Sequence, residues 1–240
     1  MDNTTRLQYL QAMGIDVWIP RTSTPAVQPF VEGKLEEIPC LKPESNAFEQ
    51  PLEQPQSLST WDNLQAEVAA CTKCALCQTR TQTLFGTGNK TADWMVIGEA
   101  PGQHEDEQGK PFVGKAGLLL TEMLRAAGLE RDEVFITNIL KCRPPGNRDP
   151  KPDEAESCSD YLRRQRELIK PKIILAVGRI SAQTLLKTDA PIGKLRGKVH
   201  DLDGIPLVVV YHPAYLLRSL LEKRKAWQDL QLAVRTVKGK

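Results

Sequence analysis

Four short apolar runs, each followed by a segment with helical spacing, constrain the fold of this chain more than any other feature. They are WMVIG (94–98), VFITNIL (134–140), KIILAVG (172–178) and PLVVVYH (206–212). None alternates strictly between apolar and polar residues, so each reads as a strand buried on both faces. Helical periodicity appears at 116–128, 152–169, 180–187 and 222–236. Strand alternating with helix predicts a three-layer α/β/α domain around a mainly parallel central sheet. Ligands of such sheets bind beyond the carboxyl ends of the strands. Those ends carry Glu99 and Ala100, Asn138, Gly178 and His212, four separate positions around one expected crevice.

The pattern begins only after the first quarter of the chain. Residues 22–58 hold six of the 17 prolines and are rich in Gln, Glu, Ser and Thr, a composition that reads as a linker without a core of its own. Before it, RLQYLQAMGIDVW spaces Leu7, Leu10, Met13 and Ile15 roughly as a helix would. The chain therefore divides into a docking peptide (1–21), a linker (22–60) and a domain (61–240). The net charge of +2 conceals an asymmetry: residues 1–60 carry four basic and eight acidic side chains, leaving +6 on the remainder. A basic domain suits a phosphate-rich partner, although a solvated helix face has the same composition. No run approaches the ~20 apolar residues of a membrane span. The N-terminus also lacks a charged-then-apolar secretion signal, so a monomeric cytoplasmic protein is expected.

Six cysteines without a secretion signal suggest metal binding more than disulfides. CTKCALC supplies Cys71, Cys74 and Cys77; Cys142 follows a strand and Cys158 sits on the next helix, while Cys40 lies in the tail. By spacing alone, four thiolates suit zinc or an iron–sulfur cluster equally. The segment EAPGQHEDEQGKPFVGKAG (99–117) is the other unusual stretch. It concentrates carboxylates and glycines where a strand should pass to a helix, as a site for a metal, a phosphate or a small ring would.

Together, GEAPGQHEDEQGKPFVGKAG, NILKCRPPGNR, YHPAYLLR and CTKCALCQTR resemble the family 4 uracil-DNA glycosylases, the iron–sulfur type, over about residues 62–236. The resemblance implies a uracil-DNA glycosylase-like fold and a DNA repair enzyme. Such an enzyme flips uracil from DNA and hydrolyses its N-glycosidic bond to leave an abasic site. It implies a [4Fe–4S] cluster on Cys71, Cys74, Cys142 and Cys158, with Cys77 spare. It makes His212 the donor to the developing oxyanion at uracil O2, with Glu99 and Glu105 as the acidic pair and Asp106 as a third candidate for holding the water. Ala100 lends a backbone amide, Phe112 stacks on the base, and the Asn138 amide pairs with N3–H and O4. Leu217 and Arg218 are read as wedge and phosphate contact, and Lys194 and Arg196 as a DNA-backbone loop. The alternatives are a glycosylase of the same superfold with another deaminated-base preference, and a non-enzymatic iron–sulfur nucleic-acid binder. LQAMGIDVW (10–18) resembles the N-terminal peptide of the psi subunit of the bacterial replicative clamp loader, which implies a clamp-loader partner with Trp18 as anchor.

Overall fold

A computed structural model describes residues 60–239. The peptide and linker expected before residue 60, Cys40 and Trp18 lie outside the described residues. The remainder forms a six-stranded sheet in the order β1-β3-β2-β4-β6-β5. The four predicted runs become β2 (Trp94–Gly98), β3 (Phe135–Asn138), β4 (Ile173–Val177) and β6 (Ile205–Val210), all mutually parallel. β3 is shorter than its apolar run, but the Ile139 and Leu140 amides still donate to the Gly98 and Glu99 carbonyls at 2.9 and 3.0 Å.

Two edge strands had not been anticipated. β1 (Thr87–Gly88) pairs antiparallel with β3, and β5 (Val199–Leu202) pairs antiparallel with β6. The second pair is a two-residue hairpin through Asp203 and Gly204, at φ 54° and 83°. Asp-Gly is the residue pair that such a turn favours, so the signal was present in the sequence.

Helices cover both faces, because successive residues of the central strands point to opposite sides. On one face Trp61 and Leu64 of α1 (Thr60–Ala69), with Tyr161 and Leu162 of α4 (Pro152–Ile169), pack on Met95, Ile97, Ile174 and Val209. α5 (Arg179–Leu186) joins this layer through Ala182. On the other face Leu120 and Leu124 of α3 (Lys115–Ala126), with Leu230 and Ala233 of α8 (Lys223–Lys238), pack on Val96, Leu175, Val208 and Val210. The expected three-layer α/β/α architecture with a mainly parallel sheet is therefore the observed one.

Among the described residues there are three further short α-helices. α2 (Gln103–Gln108) lies within the carboxylate-rich stretch, α6 (Ile192–Leu195) precedes β5, and α7 (Pro213–Arg218) follows β6. α2 starts at Gly102 and stops at Gly109, whose φ of 69° is the left-handed end that glycine supplies. Among the described residues, no helix is long and apolar enough to cross a membrane.

Candidate active site

The carboxyl ends of β2, β3, β4 and β6 open into one cavity of about 860 Å³, lined by Glu99, Ala100, Glu105, Phe112, Asn138, Gly178, His212 and Arg218 among others. Eight of the residues singled out in the sequence thus share one surface. Their spacing is set by the backbone. Gly98 pairs with Asn138 across the β2–β3 ladder. A Cβ on Gly98 would sit 2.3 Å from Asn138 Oδ1 and 2.7 Å from the Phe112 ring, so the floor tolerates only glycine there. Gly178, at φ 94°, similarly leaves room for His212, to which an added Cβ would approach within 3.1 Å.

His212 has a defined tautomer. The Ala214 amide donates to its Nδ1 at 3.1 Å, so in the neutral ring the proton resides on Nε2. Burial pushes the imidazole down to about 4, Arg218 adds to the shift, and Glu105 opposes it. The ring is therefore a neutral donor at physiological pH. It stacks against Phe112 with centroids 5.8 Å apart and planes 29° from parallel. Phe112 itself adopts φ 53°, a left-handed conformation unusual for a residue with a Cβ.

The three acids of the glycine-rich stretch differ sharply. Burial pushes the Glu99 carboxyl up to about 7; Asp149 adds to this and Arg179 opposes it. Glu105 Oε1 accepts from the Val113 amide at 3.1 Å and the Gly114 amide at 3.4 Å, which ties α2 to the Phe112 loop. Asp106 is buried, and its carboxylate accepts from the Thr81 and Gln82 amides at 3.0–3.3 Å. It anchors the 81–82 loop and does not line the cavity, which removes it as a water-holding candidate. Consecutive acids on one short helix thus hold different loops, a distinction that composition cannot carry.

At the rim, Arg218 lines the cavity at the end of α7, and Leu217 beside it is 42% exposed. Leu220 and Leu221 follow in a short 3-10 turn, with Leu221 91% exposed. Sequence reasoning passed over this pair; two leucines stranded between Ser219 and a charged helix start were the available signal. Arg148 and Arg179 also reach the cavity, and Arg179 was not singled out. Lys194 and Arg196 separate in role. Arg196 grips the fully buried Asp229 through Nε at 2.9 Å and Nη2 at 3.0 Å, and also donates to the Lys225 carbonyl. Its side chain is only 14% exposed, so the expectation of a DNA-backbone contact from Arg196 gives way to a structural clamp between α6 and α8. Lys194 on α6 is exposed.

Behind the cavity, Cys71, Cys74, Cys77, Cys142 and Cys158 line a second, small cavity together with Lys73, Arg80, Lys141 and Tyr161. Among the described residues, no three His, Cys, Asp or Glu side chains form a group that could hold a single metal ion. The thiols surround a common space without meeting at one point. Arg80 Nη1 donates to Cys142 Sγ at 3.0 Å. Burial pushes the Cys142 thiol up to about 11 against that bond, and raises Cys74 and Cys158 as well. The Lys141 backbone amide bonds Cys158. Its buried ammonium donates to Thr137 Oγ1 (2.7 Å), the Asn138 carbonyl (2.8 Å) and Gln165 Oε1 (2.8 Å). One residue thus lines the cysteine cavity and braces the main chain of Asn138, which lines the other.

Comparison with known proteins accords with this arrangement. Residues 85–231 match the family model for the uracil DNA glycosylase superfamily. The chain is 45% identical over 168 residues to a type-4 uracil-DNA glycosylase of Archaeoglobus fulgidus, covering 67% of this chain and 84% of the relative. It is 48% identical over 176 residues to the type-4 enzyme of Saccharolobus solfataricus (68% and 82% covered), and 40% identical over 175 residues to that of Thermotoga maritima (71% and 91%).

Proposed function

The chain belongs to the uracil-DNA glycosylase superfamily, as a type-4 member, and we propose from that premise how its residues divide the work of a uracil-excising DNA repair glycosylase. Hydrolysis of the glycosidic bond develops positive charge on the sugar and negative charge on the departing base. The flipped uracil enters the cavity over Gly98 and Ala100, where little side chain intrudes. Phe112 stacks on its face, and the Asn138 amide pairs with N3–H and O4.

His212 donates Nε2–H to O2 as charge gathers there. The observation that carries this reading is the Ala214 amide on Nδ1 of a desolvated, neutral ring, because it fixes the donor before substrate arrives. One preorganised donor of this kind contributes about 3–4 kcal/mol to the barrier difference. Glu99 holds the attacking water and faces the sugar cation. Unlike Glu105, it accepts from no backbone amide of the described residues, and burial has already weakened its solvation. Lys194 and Arg218 contact phosphates, with Leu217 filling the gap left by the base.

The cysteine site fits the iron–sulfur group that the family resemblance implies. The donor set is entirely thiol, spread around a common space, with Arg80 and Lys141 beside it to offset anionic sulfur. Cys71, Cys74, Cys142 and Cys158 would hold a [4Fe–4S] cluster. When bound, it would supply four covalent cross-links between α1, the β3 exit and α4, and the hydrolysis itself needs no electron. Residues 10–18 dock the protein to the clamp loader; the support is their likeness to the psi peptide, and equal recovery of clamp-loader subunits with Trp18→Ala would refute it.

The central test is uracil release from a labelled oligonucleotide, read as strand cleavage after alkali. Wild type is expected to cleave at uracil only, and His212→Ala to bind the same DNA with little cleavage. Equal cleavage by both proteins would overturn the assignment of His212. A parallel oligonucleotide carrying hypoxanthine tests whether the pocket admits another deaminated base.

A further inference from the structure

Arg131 lies in the turn after α3, outside the cavity, and its guanidinium is half-buried with no carboxylate within salt-bridge distance among the described residues. Glu130, Asp132 and Glu133 adjoin it in sequence, yet it is turned instead onto neutral oxygens. Nη2 donates to the Pro111 carbonyl at 2.7 Å and to the Phe112 carbonyl at 3.2 Å, and Nη1 donates to Thr121 Oγ1 at 3.1 Å. Thr121 in turn donates to the Gly117 carbonyl at 3.1 Å. A Cβ on Gly117 would lie 1.7 Å from the Phe112 oxygen, so α3 packs directly against the peptide that Arg131 grips.

That peptide is the one with reason to move. Phe112 at φ 53° is held away from the conformations its Cβ prefers, and such strain persists only where the surroundings over-determine it. A relaxed φ would swing the ring away from Gly98 and His212. Charge-assisted bonds to carbonyls are strong enough to hold it, and the planar fork of Arg aims Nη2 at both carbonyls while Nη1 is fixed on Thr121.

We propose that Arg131 is a positioning residue for uracil excision: by clamping the Pro111 and Phe112 carbonyls it keeps the Phe112 ring in its stacked place beside His212, where the base must stack. The inference rests on the stacking role proposed above for Phe112. It concerns a residue that touches no substrate, and it makes a claim about coupling that simple loss of stability would not satisfy.

The test is a double-mutant cycle with Arg131→Gln, Phe112→Ala and the pair, read as single-turnover uracil release from a labelled oligonucleotide, with melting curves of all four proteins. Arg131→Gln is expected to slow release about tenfold in the wild-type background but by less than about twofold once Phe112 is alanine. Arg131→Lys, which keeps the charge but loses the fork, should recover part of the rate. If Arg131→Gln does not fold, Arg131→Lys takes its place in the same cycle and the same non-additivity is required. An equal fold loss in both backgrounds, or no loss in the wild-type background, overturns the proposal while the glycosylase reading stands. A Phe112→Ala protein with undiminished rate overturns the stacking role and this inference together. A wild-type protein that releases no uracil overturns the site reading as a whole.

Discussion

The cavity at the strand ends and the cysteine-lined cavity both draw residues from the exit of β3, and they are held together in opposite ways. The cavity proposed to take the base is formed by four parallel strand ends of one sheet, with ladder bonds, glycines and a preset imidazole fixing its shape. The cysteine cavity draws on the segment after α1, the two residues just past Leu140 and one turn of α4, which no strand pairing joins among the described residues. The first is a consequence of the sheet; the second is a joint between pieces of chain whose buried thiols, left to themselves, favour the protonated form. Chemistry can therefore be removed from the first without loosening the fold. Chemistry removed from the second should loosen it.

The largest test of that contrast is His212→Ala against Cys158→Ser. Losing the His212 donor should cost about 10²–10³ in rate with the melting temperature nearly unchanged. Cys158→Ser should abolish absorption near ~400 nm and lower the melting temperature by roughly 2–8 °C, the scale on which one or two kcal/mol acts in a domain of this size. If His212→Ala destabilises as much as Cys158→Ser does, the contrast fails.

Breaking the Arg196–Asp229 clamp comes next. Arg196→Met strands a fully buried carboxylate, and loss of one partner from such a pair costs about 3–5 kcal/mol at most. Its melting temperature should fall while the salt dependence of DNA binding stays as in wild type. An unchanged melting temperature with a reduced salt slope would restore Arg196 to the DNA surface.

Glu99 sharpens the comparison through pH. Its folded carboxyl ionises at about 7, well above 4.5, so the folded state retains a proton that the unfolded chain has released between those values. Its contribution to stability is fully present below pH 4.5 and falls as pH rises toward 7. Glu99→Gln should accordingly melt higher than wild type at pH 8, by roughly 2–4 °C once the carboxyl's partial exposure is allowed for. The same variant should lose most activity, and the wild-type rate should climb to a plateau as pH passes about 7. A wild-type rate that is flat from pH 5 to 8 would sink the role given to Glu99. The smallest effect belongs to Lys194→Ala, which should weaken DNA binding evenly and reduce the salt slope by about one.

Much of this was legible from residues alone, for physical reasons that can be named. Strands buried on both faces must be apolar throughout, so β2, β3, β4 and β6 announced themselves, and a parallel sheet dictates where Asn138 and His212 must meet. The Asp203–Gly204 hairpin was equally written in the sequence and overlooked. What could not be read was partnership across distance. Nothing in GKLRGK distinguishes Arg196, which is sunk against Asp229 33 positions later, from the exposed Lys194. Nothing in HEDEQ distinguishes Glu105 from Asp106, since the turn of one short helix sends them to different neighbours. Arg131 carried no motif at all, because its function lies in two carbonyls contributed by another loop.

Lys141 has a consequence for anyone who would transplant this catalytic pocket into another scaffold. Its main chain belongs to the sulfur-lined hollow and its ammonium to the peptide that presents Asn138. A graft that copied only the visible lining would leave that peptide unbraced. The smallest portable unit must carry Thr137, Gln165 and the thiols along with it.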